Sequence, residues 1–190
     1  MKVVFSEQQI QQRVQEMARD ISRDYGDEAF HAIGILEGGF VFLADLVRKV
    51  TAPVVCQFVK MEMADSQEAG HQPLRRIVYD SPGDVKGQHV LLVDALVDSG
   101  VPLDYLVQQM RAKQPRSVRI AALVNREEHR RVDLPLDYAG FSWESRTGER
   151  LVGYGMGRDG MFRNLPYVAA VTPDGSHAER SRKEGGRVGK

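Results

Sequence analysis

Apolar residues recur along this chain with two alternating spacings, one typical of helices and one typical of buried strands. Residues 6–25 repeat apolar side chains at helical spacing, and Ser6 and Gln9 at their start predict a capping box. The segments 40–50 and 101–113 predict two further helices. Apolar runs predict strands at residues 32–36, 53–61, 89–96, 119–125, 136–143 and 166–171. Strands that alternate with helices in this way predict an α/β fold with a mainly parallel sheet.

Two segments show neither spacing. The polar stretch 62–76 predicts a long exposed loop or a mobile hairpin, and loops of that length in a compact domain often act as lids. The last 19 residues are rich in Gly, Ser and charged side chains and offer almost nothing to bury, which predicts a disordered tail over 172–190. The folded part is therefore expected to be a single domain over residues 1–171.

Composition narrows the classes of function. The chain has 190 residues, with 26 Lys and Arg against 26 Asp and Glu, so its formal net charge is zero. A balanced charge gives no global field for nucleic acid or an anionic membrane, so any phosphate recognition must be local. The single cysteine, Cys56, excludes an internal disulfide. Since no run approaches the ~20 apolar residues of a membrane span and no leader precedes the first helix, we expect a cytoplasmic protein.

The segment 89–110 carries the most informative chemistry. A buried strand brings Asp94 to its carboxyl end, the turn 98–100 follows, and a helix starts near Val101 or Pro102. Ligands of open parallel sheets bind at this edge, and successive N–H groups in such a turn, ahead of a helix, form a nest for a phosphate. The same residues also suit an ordinary helix start, with a turn residue as N-cap and Pro in the first turn.

This segment resembles the phosphoribosyl pyrophosphate loop of the type I phosphoribosyltransferases. The stretches 34–50, 123–141 and 151–171 are similar, in order and spacing, to the hypoxanthine-guanine branch of that family, and the resemblance covers about residues 5–171. It implies a mainly parallel twisted sheet flanked by helices, with a small hood and a flap-like loop. It also implies transfer of phosphoribosyl from phosphoribosyl pyrophosphate to a 6-oxopurine, in purine salvage, with magnesium as cofactor. The expected assembly is a homo-oligomer, a dimer or tetramer, acting on small molecules and not on nucleic acid or a membrane.

The resemblance also implies a role for individual residues. Asp98 would be the general base, or hydrogen-bond partner, at the purine ring nitrogen that forms the new bond, which requires an approach of about 3 Å. Phosphate and ribose would be bound by Asp94, Ser99, Gly100, Val101 and Pro102; pyrophosphate by Glu37, Gly38, Gly39 and Arg163; and the base by Arg126, Arg150 and Leu151. Asp94 and Asp159 would bind the magnesium ion.

Several ligand-facing positions depart from the family pattern. The replaced positions are Glu37 for a basic residue, Ala95 for a second acidic residue, Pro102 for threonine, Arg150 for an aromatic ring and Gly157 for a magnesium-binding aspartate. In addition, the stretch 62–76 contains no Ser-Tyr pair, the mark of the family's catalytic flap. Two alternatives therefore stay open beside the salvage enzyme. One is a catalytically impaired nucleotide-binding or regulatory homologue, and the other is a phosphoribosyltransferase with a more acidic or more oxygenated acceptor base.

Overall fold

Parallel strands form the centre of the computed structural model, which describes residues 1–66, 74–79, 83–144 and 148–172. The strands are β1 (Lys2–Phe5), β2 (Phe30–Leu36), β3 (Val54–Ser66), β4 (Leu74–Tyr79), β5 (His89–Val97), β6 (Ser117–Asn125), β7 (Tyr138–Ser142), β8 (Arg150–Val152) and β9 (Val168–Val171). The α-helices are α1 (Glu7–Tyr25), α2 (Phe40–Val47) and α3 (Val101–Ala112). A short 3-10 helix spans Glu127–His129.

The main sheet has the strand order β4-β3-β2-β5-β6-β7, and every neighbouring pair in it is parallel except β3 with β4. This confirms the predicted mainly parallel sheet. In the register of the sheet, Gly34 of β2 lies beside Val93 of β5, and Val97 of β5 lies beside Asn125 of β6. The carboxyl ends of β2, β5 and β6 therefore meet at one edge, where the turns that follow them come together.

Both faces of this sheet are covered by helices, which explains why its central strands are continuous apolar runs. Because side chains alternate across a strand, Leu91 and Val93 of β5 pack with α1 and α2, whereas Val90 and Leu92 pack with α3. Helix α1 begins with the predicted capping box, since Ser6 accepts from the Gln9 N–H and the Gln9 side chain accepts from the Ser6 N–H.

A second sheet of three antiparallel strands, in the order β1-β9-β8, forms a small hood over the same end of the molecule. Its strand β8 leads directly into the run Gly153–Gly157 that lies against the main site. Strand β1 was missing from the sequence-based prediction, because four residues without a clear alternation give little signal before their distant partner β9 is known.

The polar stretch 62–76 was predicted as a loop or a hairpin, and the hairpin is correct. Strand β3 continues to Ser66, and its last six residues pair antiparallel with β4. Residues 67–73 lie outside the described residues, and so does the predicted tail from 173 onward, whose disorder stays a prediction. Among the helices of the described ranges, none has the length and apolar content that crossing a membrane requires.

Candidate active site

Three turns at the carboxyl edge of the main sheet bring the predicted site residues together. They follow β2 at residues 37–39, β5 at residues 98–100 and β6 at residues 126–129. The last two turns are joined by backbone hydrogen bonds, because the Arg126 N–H donates to the Val97 carbonyl (3.0 Å) and the Arg131 N–H donates to that of Ser99 (2.9 Å). Functional side chains from separate strands are therefore held by main-chain geometry.

A cleft of about 710 Å³ lies beyond this edge. Its lining combines residues that the sequence assigned to the base or to catalysis with neighbours: Leu96, Asp98, Arg126, Glu128, His129, Gly148, Glu149, Arg150, Leu151 and Gly157. Leu151 is buried, and Arg150, at the start of β8, is exposed at the rim. The volume falls within the range of small-molecule sites, and the mixture of apolar and charged side chains in the lining suits a polar heterocycle.

Arg126 is a charged residue buried at the floor of this cleft, with only 8% of its side chain exposed. Its Nη1 lies 3.2 Å from Asp98 Oδ1, and its guanidinium lies over the Trp143 ring, 4.9 Å from the centroid. A guanidinium suits such a place because it stacks on aromatic faces and is more weakly hydrated than an ammonium. Trp143 therefore packs against one face of the Arg126 guanidinium, and the N–H donors of the guanidinium face Asp98 and the cleft.

The side chain of His129 also reaches Asp98, which residue-by-residue sequence reading missed. Its Nδ1 lies 3.1 Å from Asp98 Oδ1. The 3-10 helix Glu127–His129 follows Arg126 directly and brings the His129 ring against the Arg126 side chain, an arrangement that no pattern in the sequence specified. Asp98 thus contacts two nitrogen-bearing side chains of the neighbouring turn.

The turn after β5 has one feature of a phosphate nest, a residue in the left-handed conformation just before a helix. Gly100 adopts φ 77° as the residue before α3, and a side chain there would press against Val132 at 3.0 Å. A small pocket of about 120 Å³ beside it is lined by Met61, Asp94, Leu96, Val97, Asp98, Ser99, Gly100, Pro102 and Leu103. Val101 donates its N–H to the Ser99 hydroxyl (3.4 Å), and Pro102 has no N–H to offer, so the nest has fewer donors than the family pattern would provide.

Asp94 lies in the floor of this small pocket. Burial raises the pKa of its carboxyl to about 7, an effect only partly offset by hydrogen bonds from the backbone N–H groups of Leu96 and Ala95. The ionised carboxylate of Asp94 therefore has too few hydrogen bonds within the protein to offset its burial. Hydroxyl donors from a bound sugar would supply the missing hydrogen bonds, which is a sound reason for a carboxylate at this position.

The turn after β2 is closed by an ion pair. Arg163 Nη2 lies 2.7 Å from Glu37 Oε2, while its Nη1 donates to the Gly155 carbonyl at 2.7 Å. Gly155 and Gly39 allow the close packing, because a Cβ at Gly155 would come within 2.4 Å of the Gly38 carbonyl and one at Gly39 within 2.8 Å of the Ile35 carbonyl. A Cβ at Gly38 would meet nothing within 4 Å, so its lack of a side chain is not required here. Arg163, the cation expected to bind pyrophosphate, is thus paired with Glu37, a carboxylate of the turn after β2.

The residues around this turn do not fit a magnesium ion held by the protein. Gly157 offers no ligand, and a Cβ there would lie 2.8 Å from Cγ and 3.0 Å from Cζ of Arg163, so the arginine occupies that space. Asp159 lies apart on a turn with 79% of its side chain exposed, 3.6 Å from Arg158. Within the ranges that the structure describes, no three Asp, Glu, His or Cys side chains cluster as metal ligands.

Comparison with known proteins agrees with this arrangement. The family model of the phosphoribosyl transferase domain matches residues 3–156. The chain is 30% identical to a hypoxanthine-guanine phosphoribosyltransferase of Bacillus subtilis, over 90% of this chain and 93% of that protein, and 33% identical to one of Dictyostelium discoideum, over 90% and 94%.

Solved structures give the same result. A hypoxanthine-guanine phosphoribosyltransferase of Bacillus anthracis superposes with a TM-score of 0.76 at 32% identity, covering 90% of this chain and 98% of that one. The hypoxanthine phosphoribosyltransferase of Trypanosoma cruzi, in complex with the product IMP, superposes with a TM-score of 0.79 at 28% identity, covering 91% and 95%. The fold, the order of its turns and these likenesses together establish that the chain belongs to the phosphoribosyltransferase family, with the type I phosphoribosyltransferase fold.

Proposed function

We propose that this protein transfers the phosphoribosyl group of phosphoribosyl pyrophosphate to hypoxanthine or guanine, giving a purine nucleotide and pyrophosphate. One observation carries the proposal: Asp98, at the end of β5, lies 3.2 Å from the buried cation of Arg126, at the end of β6, in a cleft of heterocycle size. A proton acceptor beside a fixed donor matches the two edges of a 6-oxopurine, an imidazole N–H and a carbonyl oxygen.

Each group has a place in this scheme. The Asp98 carboxylate accepts the imidazole proton of the purine while a ring nitrogen forms a bond to the anomeric carbon and the bond from that carbon to pyrophosphate breaks. Arg126 donates to the 6-oxygen, and Leu151 and Arg150 border the ring. The nest at Ser99 and Gly100 holds the 5′-phosphate, and Asp94 accepts from ribose hydroxyls. Magnesium belongs to the donor substrate in this scheme, since the residues that the structure describes do not form a site for it.

The names of similar proteins support this assignment. The Bacillus subtilis and Dictyostelium proteins are named hypoxanthine-guanine phosphoribosyltransferases, and the Trypanosoma cruzi structure holds IMP as product. Since the likeness extends over about nine tenths of this chain and of each relative, it includes both the nucleotide-binding turns and the base cleft. A purine base and a nucleotide product are therefore the ligands to test first.

A second candidate function is nucleotide binding with little turnover. The observation that favours it is the pair between Arg163 and Glu37, which places a negative charge where pyrophosphate must bind. A third is transfer to a more oxygenated base such as xanthine, favoured by the nitrogen-rich cleft of Arg126, His129 and Arg150. Both alternatives keep the fold and the phosphate nest, so they differ from the first only in turnover and base.

Turnover measurements with hypoxanthine, guanine and xanthine separate the three. We expect nucleotide formation from hypoxanthine or guanine with phosphoribosyl pyrophosphate and magnesium, reduced at least about a hundredfold by Asp98→Asn, because general acid-base catalysis contributes roughly that much. Stabilisation by IMP without turnover of any base would favour the binding protein, and turnover of xanthine alone would favour the altered acceptor. Turnover that survives Asp98→Asn unchanged would refute the role of Asp98.

We also propose that residues 1–171 act as one domain within a homo-oligomer, a dimer or tetramer, in the cytoplasm. The assembly is proposed from the family resemblance. Light scattering with mass determination tests the assembly, and a monomeric mass at micromolar concentration would refute it.

A further inference from the structure

The imidazole of His129 lies between the two side chains that face the acceptor base. Its Nδ1 is 3.1 Å from Asp98 Oδ1, and its Nε2 is 2.9 Å from Arg126 Nη2. The ring is half exposed, at 48%, so it is not part of the hydrophobic core. Its place is set by the backbone, because the His129 N–H donates to the Arg126 carbonyl at 3.2 Å and the Arg126 N–H donates to Val97.

These contacts determine which nitrogen carries the ring proton. An arginine guanidinium donates hydrogen bonds and has no acceptor, so the contact with Arg126 requires a lone pair on His129 Nε2. A neutral imidazole with its lone pair on Nε2 has its proton on Nδ1. The Nδ1–H of His129 therefore donates to Asp98 Oδ1, and the imidazole links the buried cation to the carboxylate.

Both donors act on the same oxygen of Asp98. Arg126 Nη1 reaches Oδ1 at 3.2 Å, and His129 Nδ1 reaches it at 3.1 Å, from the neighbouring turn. The outer torsion of an aspartate is broad, so a carboxylate takes a single orientation only when hydrogen bonds fix it. Two donors on Oδ1 direct the second oxygen, Oδ2, away from this turn, as the acceptor for a ligand in the cleft.

We infer that His129 is a positioning residue for Asp98: its Nδ1–H, with Arg126, holds the carboxylate in the orientation that accepts the imidazole proton of the purine. This inference rests on the proposed function. A misplaced acceptor loses rate more than binding, because the orientation matters most while the proton is moving. Loss of one hydrogen bond to a charged group corresponds to a change of about tenfold.

Three variants of the full-length chain test this role. In His129→Asn the amide N–H can take the place of Nδ1–H, in His129→Gln the amide extends to the position of Nε2, and His129→Leu has no donor. With hypoxanthine and magnesium phosphoribosyl pyrophosphate, we expect kcat to fall about tenfold in the Leu and Gln variants, with KM for the donor unchanged. The Asn variant should retain kcat within about threefold of the parent. Thermal denaturation should show the same Tm for all three, since the ring is half exposed.

A second measurement does not depend on turnover. Long-range nitrogen-proton NMR correlations of the His129 ring should show the neutral form protonated at Nδ1, and a ring protonated at Nε2 would overturn the inference. If the parent is active, two kinetic results would overturn the positioning role but not the proposed function. One is a full kcat in His129→Leu, and the other is an equal fall of kcat in His129→Asn and His129→Leu. A parent inactive with hypoxanthine, guanine and xanthine would overturn both the proposed function and the role of His129 in it.

Discussion

Glu37 is the residue whose replacement should improve donor binding. It lies in the turn after β2 and pairs with Arg163 at 2.7 Å, so it both occupies that cation and repels an incoming pyrophosphate. Glu37→Gln keeps the size of the side chain and removes the charge. We expect KM for phosphoribosyl pyrophosphate to fall in this variant, with kcat little changed, because the substituted group does not touch the acceptor base.

The structure sets the scale of the effect. The Glu37 side chain is 56% exposed and that of Arg163 is 28% exposed, so the pair lies near water and is worth at most about 1 kcal/mol. A pyrophosphate with roughly three charges at about 6 Å would be repelled by about 2 kcal/mol in water, and salt would reduce this to about 1 kcal/mol. The sum, about 1 to 2 kcal/mol, corresponds to a fall in KM between roughly fivefold and thirtyfold.

Steady-state kinetics at saturating hypoxanthine, repeated at low and high potassium chloride, measure this difference. A suitable control is Glu16→Gln, since Glu16 forms an ion pair of 2.9 Å with Arg13 on α1 and does not line the cleft. The control should leave KM unchanged, and the gain from Glu37→Gln should shrink with added salt because exposed charges are screened. An unchanged KM in Glu37→Gln would refute the account of the pyrophosphate turn.

Three further variants probe single features. The pKa of Asp94 is about 7 in the folded protein and about 3.9 in the unfolded chain, so the free energy of unfolding falls as the pH rises from about 4 to about 7. Thermal melts should therefore show Asp94→Asn equal to the parent near pH 4 and more stable by at most about 4 kcal/mol above pH 7, whereas a constant difference would contradict this. Tyr154→Phe removes the hydrogen bond of 2.6 Å to Asp45, which should cost about 2 kcal/mol and lower Tm by roughly 4–8 °C. Gly157→Asp alone should displace Arg163 without creating a metal site, so calorimetry should detect magnesium binding in neither the variant nor the parent; magnesium binding by the variant would refute this.

Burial determines which elements the sequence could predict. Strands β5 and β6 are enclosed by helices on both faces, so their apolar runs identify them without any knowledge of partners. Helix α1 carries its own signal in the capping box. Strand β1 depends on pairing with β9, more than 160 residues away, and β4 depends on pairing with a polar extension of β3. Local sequence contains neither of these partners, which is why β1 was missed and the β3–β4 hairpin was predicted only as one of two alternatives.

The candidate site divides in the same way. Asp98 and Arg126 could be placed beforehand because each follows a predicted strand, and the carboxyl ends of parallel strands share one edge. The pair between Glu37 and Arg163 joins residues 126 positions apart, so its existence depends on how the hood approaches the sheet. The contact of His129 with Asp98 depends on the 3-10 turn, whose side-chain directions the sequence pattern did not specify.

Two departures from the family pattern, Glu37 and Gly157, depend on each other because both positions contact Arg163. Without a side chain at Gly157, Arg163 can lie across that position, where a Cβ would come within 2.8 Å of it. From there its guanidinium reaches Glu37 and the Gly155 carbonyl, and a basic residue at position 37 would repel it. Groups in contact do not contribute independently to binding. Restoring an acidic residue at Gly157 or a basic one at Glu37 alone therefore breaks the existing arrangement without rebuilding another, and only changes made together would recover a metal-binding site.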